Sequence, residues 1–233
     1  MRLIIVGCEY SGTTTLAKGI CRWAPSVMGG RFSFHDHWKI PEIACYPQGN
    51  KQPVLTEEDK KEILALSPKL KEMLQRQSLK MHMPAPGEAT DFIMVGFHLD
   101  DAVYGPLYFD YGGEYEPQGG PRTRYARFIE EQVLKLAPDV TLVSVRASPE
   151  VLASRMREGP HTDGVLREAD IEHVLLRFEE ESGASLIKRR LTLDTSEATP
   201  EETLARFVQE IEPLLSESDR LRMMAHRVLR VGA

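Results

Sequence analysis

The feature that most constrains this chain is a glycine-rich turn near its start. A short apolar run, residues 3–6, leads directly into the sequence Gly-Cys-Glu-Tyr-Ser-Gly-Thr-Thr at residues 7–14, and a helical pattern follows without a break. A turn of this kind binds phosphate because its backbone N–H groups and the helix N-terminus face the anion. We therefore predict a phosphate-binding loop made by Gly7, Cys8, Glu9, Tyr10, Ser11, Gly12, Thr13, Thr14 and Thr15.

One position of the loop departs from the usual pattern. Thr13 stands where the pattern has lysine. That lysine normally follows the charge on the outer phosphates during transfer, so the sequence indicates a phosphate-bearing ligand more firmly than it indicates a kinase. Cys8, close to a helix N-terminus, is either a reactive thiol with a lowered pKa or a small residue that fits the turn.

Charge and composition exclude several classes of protein. The formal net charge of -6 argues against a general nucleic-acid binder, which needs a surplus of lysine and arginine. No apolar run is long enough to cross a bilayer, and the N-terminus lacks the order of a signal peptide, so we expect a cytoplasmic protein. The three cysteines form neither a disulfide framework nor a paired zinc motif.

Short apolar runs alternate with helical patterns along the chain. The predicted strands are residues 3–6, 31–38, 91–96, 140–145 and 191–194. This alternation predicts an α/β fold with a parallel sheet of about five strands flanked by helices. We expect one domain over residues 1–215, with a helical insert at 56–83 and a lid at 155–183, followed by a basic tail at 216–233.

Capping patterns mark where helices begin and end. Hydroxyl residues before acids or proline predict helix starts at Thr56, Ser67, Ser148 and Thr199. The first helix is predicted to run from Thr13 to about residue 23 and to be ended by Pro25 and the pair Gly29 and Gly30. The glycine-rich segment 110–121 is either a functional lid or a plain connection.

Several polar side chains follow predicted strands. Asp36 and His37 end the second strand and are expected near the phosphate loop, because the carboxyl ends of parallel strands face the ligand crevice. His98, after the third strand, is either a site residue or part of a capped loop. Arg155 and Arg157 lie on different faces of a helix, so at most one is expected to point at a given ligand.

The order of strand, phosphate loop and helix resembles the P-loop fold of nucleoside and nucleotide kinases. Residues 137–157 look like the strand of that family that precedes an arginine-bearing lid, and residues 193–202 look like its final strand and helix. The resemblance implies a three-layer sandwich that binds ATP with Mg²⁺. It also implies roles for particular residues: the loop wraps the phosphates, Thr14 ligates magnesium, Arg155 and Arg157 neutralise charge, and Asp194 and Thr195 lie beside the base.

Kinases of this type usually have an acidic residue at the end of the third strand, where this chain has Val95 and Gly96. Asp36, Asp100 or Asp101 would then supply the carboxylate, with Asp36 as a metal ligand or catalytic group. An arginine, among Arg146, Arg155 and Arg157, would replace the missing lysine.

A second family is also similar. Residues 11–14, Ser-Gly-Thr-Thr, resemble the core of the loop with which sulfotransferases bind the sulfated nucleotide PAPS. In that family an arginine and a serine eight residues later hold the 3′-phosphate, and Arg146 and Ser154 have this spacing. His98 would be the catalytic base. The basic residue usual before the serine is Tyr10 here.

Three functions therefore follow from the sequence. The first is a kinase-like phosphotransferase that acts on a small-molecule acceptor and lacks the loop lysine. The second is a PAPS-dependent sulfotransferase that needs no metal. The third is a nucleotide-binding module that has lost catalysis.

Overall fold

A computed structural model describes residues 1–37, 39–41, 54–84, 91–113 and 122–231 of the chain. Its strands form one parallel sheet in the order β2-β3-β1-β4-β5. The strand bounds are β1 Arg2–Val6, β2 His35–Asp36, β3 Phe92–Val95, β4 Thr141–Arg146 and β5 Arg189–Asp194.

The helices alternate with the strands, which confirms the predicted α/β fold. Short 3₁₀ turns precede α7 and follow α8, at Glu168–Asp170 and Glu212–Leu214. The helix bounds in the described ranges are α1 Thr13–Met28, α2 Glu57–Ala65, α3 Pro68–Met81, α4 His98–Tyr108, α5 Arg122–Leu136, α6 Pro149–Glu158, α7 Ile171–Gly183, α8 Pro200–Ile211 and α9 Glu217–Val231.

The sheet is buried on both faces. Successive β1 residues point to opposite faces, so Leu3 and Ile5 pack with α1, α8 and α9, whereas Ile4 and Val6 pack with α4, α5 and α7. Each fully buried aliphatic side chain of this kind stabilises the fold by roughly 1.5–3 kcal/mol. The helices on the two faces make the predicted three layers.

The sheet order determines where a ligand can bind. The chain leaves β1 toward β3 and β2 on one side, and β4 and β5 lie on the other side. The point where the strand order reverses opens a crevice at the carboxyl ends of the strands. The glycine-rich loop follows β1 and therefore lies at this crevice.

Helix α1 is longer than predicted. It continues through Pro25 to Met28, so the predicted end near residue 23 and the part assigned to Pro25 are wrong, whereas the predicted stop at Gly29 is confirmed. Proline removes one helical N–H donor, but Ala24 and Met28 on either side are buried against the sheet. The helix ends at Gly29, whose φ of +68° suits glycine and whose N–H donates to the Pro25 carbonyl.

The predicted second strand, residues 31–38, is largely absent from the sheet. His35 and Asp36 form the strand that pairs with β3, the His37 N–H donates to the Val95 carbonyl at 2.9 Å, and Trp38 lies outside the described residues. The third strand leads into helix α4, so His98 begins a helix and is not part of a capped loop. Of the predicted loop 110–121, residues 114–121 lie outside the described residues.

The predicted helix caps are present. Thr56 and Thr199 form complete capping boxes, and the hydroxyls of Ser67 and Ser148 accept hydrogen bonds from the third residue of their helices. None of the helices in the described ranges combines the length and apolar character needed to cross a bilayer.

The segment expected to be a basic tail forms helix α9, which packs against α1. The ammonium group of Met1 donates to Asp219 at 2.7 Å. Arg222 donates to Asp91 through two nitrogens, at 2.9 and 3.0 Å. These contacts fix α9 to the body of the fold through the starts of β1 and β3.

Candidate functional site

The glycine-rich turn has the backbone geometry of an anion-binding loop. Tyr10 and Gly12 have φ values of +67° and +96°. The first hydrogen bond of α1 runs from the Leu16 N–H to the Gly12 carbonyl at 2.9 Å. The N–H groups of residues 13–15 therefore precede the first helical bond and have no acceptor within the helix. They and the helix dipole favour a bound anion.

A hydroxyl and a carboxylate meet at the start of α1. Thr14 Oγ1 donates to Asp36 Oδ2 at 2.7 Å, although the residues are far apart in sequence. Hydroxyl, carboxylate, phosphate and water oxygens are the ligands that Mg²⁺ takes at nucleotide sites. In the described parts of the chain no group of three or more His, Cys, Asp or Glu side chains could hold a metal ion. Thr14 and Asp36 thus fit a site completed by phosphate and water.

A cavity of about 1090 Å³ opens above the loop. Its volume exceeds the usual 300–1,000 Å³ of small-molecule sites and suits two ligands side by side. The charged side chains in its wall come from the phosphate loop, α1, the end of β2 and the residues after it, α4, α6 and the segment after α6. They are Glu9, Lys18, Asp36, Lys39, Asp100, Arg155 and Asp163.

Glu9 and Lys39 form an ion pair in the cavity wall, with Lys39 Nζ 2.8 Å from Glu9 Oε1. Burial acts to raise the pKa of Glu9, but Lys39 and the N–H groups of Leu166 and Val165 outweigh it, so the pKa is lowered. Burial acts to lower the pKa of Lys39, but Glu9 and Asp100 outweigh it and the pKa is raised. Both groups are therefore charged at neutral pH.

Asp100 lies in the first turn of α4, close to the end of β3. A Cβ on Gly96 would lie 2.7 Å from Asp100 Oδ2, so glycine is required for this approach. Burial raises the pKa of Asp100 to about 7, although Lys39 opposes the shift. The side chain thus gains or loses its proton near neutral pH, which is the range useful to a general base or acid.

Asp100 is expected to make stability depend on pH. Its folded pKa of about 7 lies above the ordinary aspartate pKa of 3.8, so the stability it contributes at low pH is lost as pH rises between these values. Asparagine carries no charge at either pH, so the Asp100→Asn variant avoids this loss. The free energy of unfolding of the variant minus that of the wild type should therefore be about 2 kcal/mol larger at pH 8 than at pH 5. Urea unfolding at both pH values measures this, and equal differences at both would contradict the assignment.

Arg155 braces the outside of the phosphate loop. One nitrogen donates to the Tyr10 carbonyl at 3.0 Å and to Thr195 Oγ1 at 3.1 Å, and the other donates to the Thr195 carbonyl at 2.7 Å. Thr195 Oγ1 in turn donates to the Ser11 carbonyl at 2.9 Å. Arg155 and Thr195 both line the cavity, and their bonds hold the loop in position.

Arg157 points elsewhere. It pairs with Glu168 at 2.6 Å on the protein surface and does not line the cavity. The two arginines therefore lie on different faces of α6, as their spacing indicates.

Side chains of the phosphate loop hold the segment that follows α6. The Tyr10 ring stacks on His161 at 4.1 Å, and the His161 N–H donates to the Tyr10 hydroxyl at 3.0 Å. Glu9 accepts from the N–H groups of Val165 and Leu166 at 3.3 and 3.2 Å. Within the predicted lid, 155–183, the segment after α6 covers the cavity, whereas α7 packs against α4.

His98, a predicted catalytic base, is placed in the core. Its side chain is fully buried, and its Nε2 lies 2.9 Å from Glu130 Oε1. The cause is the sharp turn at Gly96, after which α4 begins at once and directs His98 toward α5. His98 does not line the cavity.

The Cys8 thiol is also directed into the core. Burial raises its pKa to about 12, which contradicts the alternative of a reactive thiol and favours the small residue that fits the turn. Because the helix N-terminus faces the cavity and the thiol faces the opposite way, Cys8 contributes backbone alone to the loop.

The remaining predicted residues lie away from the cavity. Arg146 Nε is 3.4 Å from Asp194 Oδ2, and both side chains are exposed at the ends of β4 and β5. Ser154 Oγ donates to Glu158 at 2.7 Å. Arg146 and Ser154 thus have separate partners, and neither lines the cavity. Of the acidic alternatives, Asp101 is buried against Arg122 instead.

Sequence reasoning missed Lys39. It lies alone between an aromatic and an apolar residue, three positions after Asp36, with no motif around it. The one signal in the sequence was its position shortly after Asp36, at a predicted strand end expected to face the ligand.

Comparison with known proteins shows similarity in structure. No protein-family model matches the sequence, and no curated protein matches it. YorR protein from Bacillus subtilis, solved with phosphorylated GDP, is similar with a TM-score of 0.53 at 17% identity, over 93% of this chain and 100% of that chain. Deoxyadenosine kinase from M. mycoides with bound dATP has a TM-score of 0.56 at 13% identity, over 91% and 99%.

Thymidylate kinase from Candida albicans is similar with a TM-score of 0.50 at 14% identity, over 91% of each chain. At these identities the likeness concerns the fold. The similarity extends over nearly all of both chains, and the glycine-rich loop, the sheet order and the flanking helices agree with it. The chain has the fold of the P-loop nucleoside and nucleotide kinases.

Proposed function

We propose that the protein is a phosphotransferase of the P-loop kinase type, which transfers the terminal phosphoryl group of a nucleoside triphosphate to a small molecule. The observation that carries the proposal is the bond between Thr14 and Asp36 at the start of α1. It places a hydroxyl and a carboxylate beside N–H groups that favour phosphate. A tight turn without a ligand would not need this arrangement at the mouth of a large cavity.

The residues that would hold the nucleotide follow from the geometry. The N–H groups of residues 13–15 would bind the phosphates, and Thr14 with Asp36 would hold Mg²⁺. This ion would neutralise charge on the phosphate oxygens. Thr195 lines the cavity and would lie toward the base, whereas Asp194 pairs with Arg146 outside the cavity. The solved relatives with dATP and phosphorylated GDP support a nucleotide as ligand.

The transfer would need little covalent chemistry from the protein. An acceptor oxygen forms a bond to the γ-phosphorus, the bond from that phosphorus to the β-phosphate oxygen breaks, and the acceptor proton passes to a carboxylate. Asp36 and Asp100 both line the cavity and are the candidates for that proton. The loop lysine of other P-loop kinases has no counterpart in this loop, because Thr13 occupies that position.

Calorimetry and turnover together test this function. The wild type should bind ATP only weakly without Mg²⁺ and more tightly with it, and should transfer ³²P from γ-labelled ATP to a member of a panel of deoxynucleosides and nucleoside monophosphates. Asp36→Asn should lower kcat by about a hundredfold. Asp139→Asn is a matched control, since Asp139 pairs with Arg2 at the opposite end of the sheet.

Two outcomes would contradict the proposal. Metal-independent binding of 3′-phosphoadenosine nucleotides, with weak binding of ATP, would favour a sulfotransferase. Binding of ATP with no transfer to any acceptor of the panel would favour a nucleotide-binding module without catalysis.

A further inference from the structure

We infer that Lys39 supplies the positive charge that the lysine of the phosphate loop would otherwise bring to the outer phosphates of the nucleotide. This inference rests on the proposed function. It assigns the charge to a residue that follows β2 and lines the same cavity as Thr13.

The arginines expected to fill this role have other partners. Arg146 and Arg157 pair with Asp194 and Glu168 outside the cavity. Arg155 lines the cavity, but its terminal nitrogens donate to the carbonyls of Tyr10 and Thr195. Turning them toward a ligand would break the bonds that hold the loop, so Arg155 is suited to positioning.

Lys39 has the location that the role requires. It lies in the same cavity wall as the phosphate loop. It comes three residues after Asp36, the last residue of β2. A lysine here and a magnesium ligand at Asp36 would approach the phosphates from the same side. Because an ammonium has three N–H groups and Glu9 needs one of them, donation to phosphate does not require loss of the ion pair.

The surroundings hold Lys39 in place. Its Nζ lies 4.8 Å from the centre of the Tyr104 ring. Tyr104 itself accepts the Glu9 N–H at 3.0 Å, so the aromatic ring and the carboxylate that flank Lys39 are joined. Glu9 is fixed in turn by the N–H groups of Val165 and Leu166. The ammonium is thus oriented before a ligand arrives, which reduces the entropy lost on binding.

The carboxylates of the cavity make a cation necessary if a polyphosphate is to bind at this point. Glu9, Asp36 and Asp100 line the same cavity as Lys39, so a triphosphate would be repelled without a cation among them. Lys39 offsets this repulsion and stays protonated through neutral pH. The exposed Lys18, one turn beyond Thr14 on α1, is the remaining lysine of the cavity wall among the described residues.

Calorimetry with ATP and Mg²⁺ tests the inference. Lys39→Met should weaken binding of ATP by about tenfold to a hundredfold, the range for a charged hydrogen bond, and should weaken binding of AMP far less. Lys39→Arg should keep most of the affinity. Lys61→Met is the matched control, because Lys61 is exposed and pairs with Glu58 on the protein surface.

A compensating variant makes the test sharper. If Lys39 replaces the loop lysine, then Thr13→Lys introduced into Lys39→Met should restore at least about tenfold of the lost ATP affinity. Loss of Lys39 also leaves Glu9 without its partner, so the double variant Glu9→Gln, Lys39→Met should be measured with thermal unfolding. It should fold like the wild type and still bind ATP weakly.

Failure of the inference and of the proposed function are distinguishable. If the wild type binds ATP and transfers phosphate while Lys39→Met does both equally well, the inference is overturned and the function stands. The same holds if Lys18→Met gives the larger loss. If the wild type does not bind ATP with Mg²⁺, the proposed function fails and the inference with it.

Discussion

Replacing Arg122 by methionine is expected to lower the free energy of unfolding by about 3–5 kcal/mol. Arg122 is fully buried, and its guanidinium donates to Asp101 through two nitrogens, one of them at 2.6 Å. A third nitrogen lies 3.4 Å from Glu72. Methionine would leave the Asp101 carboxylate buried without a cation. Urea unfolding at pH 7 measures the loss.

A double variant and the pH dependence identify the cause. Arg122→Met with Asp101→Leu removes both charges and should recover part of the loss, because paired apolar replacements of a buried ion pair are often tolerated. Burial already raises the pKa of Asp101 against the opposing effect of Arg122. Without Arg122 that pKa rises further, so the single variant should become less stable as pH increases from 5 to 8. A loss independent of pH and of Asp101 would indicate packing alone.

The Arg122 network matters to the site because of what it joins. It connects α3 through Glu72, α4 through Asp101 and α5 through Arg122 itself. Asp100, the neighbour of Asp101, lines the cavity from the first turn of α4. A buried ion pair contributes little net stability over apolar packing, but it fixes the position of its partners. We therefore expect Arg122→Met to move Asp100 as well as to destabilise the fold.

The fold could be predicted from the sequence where local signals agreed. Continuous apolar runs in β1 and β4 predict strands buried on both faces, and the hydroxyl and proline pairs at Ser148 and Thr199 predict helix starts. Each of these signals depends on residues adjacent in sequence. The sheet they build has two buried faces, as the structure shows.

Helix α4 could not be predicted in the same way. It contains Gly105 and Pro106, which locally disfavour a helix. Tertiary packing compensates, because a Cβ on Gly105 would lie 2.7 Å from the Tyr111 ring, so glycine allows that ring to pack closely. The prediction that His98 is a catalytic base failed for the same reason. The sequence indicates that a strand ends before His98, but it does not indicate in which direction the next helix runs.

The candidate site divides along similar lines. The phosphate loop followed from its glycine-rich pattern and Asp36 from a rule about strand ends, and the structure brings Thr14 and Asp36 within hydrogen-bond distance. The position of Lys39 is set by the way the chain turns after β2, and no periodic pattern in the sequence predicts that turn. The arginines were visible in the sequence, but their partners, two backbone carbonyls and two surface carboxylates, were not.

Gly7→Ala is expected to destabilise the protein by about 2–3 kcal/mol and to abolish measurable ATP binding. A Cβ at residue 7 would lie 2.2 Å from the Val145 carbonyl oxygen and 2.7 Å from Ser11 Oγ. The first of these atoms is backbone of β4, so the clash cannot be relieved by a side-chain rotation. The end of β1 must move away from β4, and the loop that follows it moves too. Thermal unfolding and calorimetry with ATP and Mg²⁺ measure the two effects.

The matched control for Gly7→Ala is Gly183→Ala. Gly183 ends α7, and a Cβ there would meet no atom within 4 Å. Alanine should be neutral or slightly stabilising at this position because it restricts the unfolded chain. If Gly7→Ala unfolded like this control and still bound ATP, the close approach of β1 to β4 would not be what shapes the loop. Loss of binding with little loss of stability would instead place the effect in the loop alone.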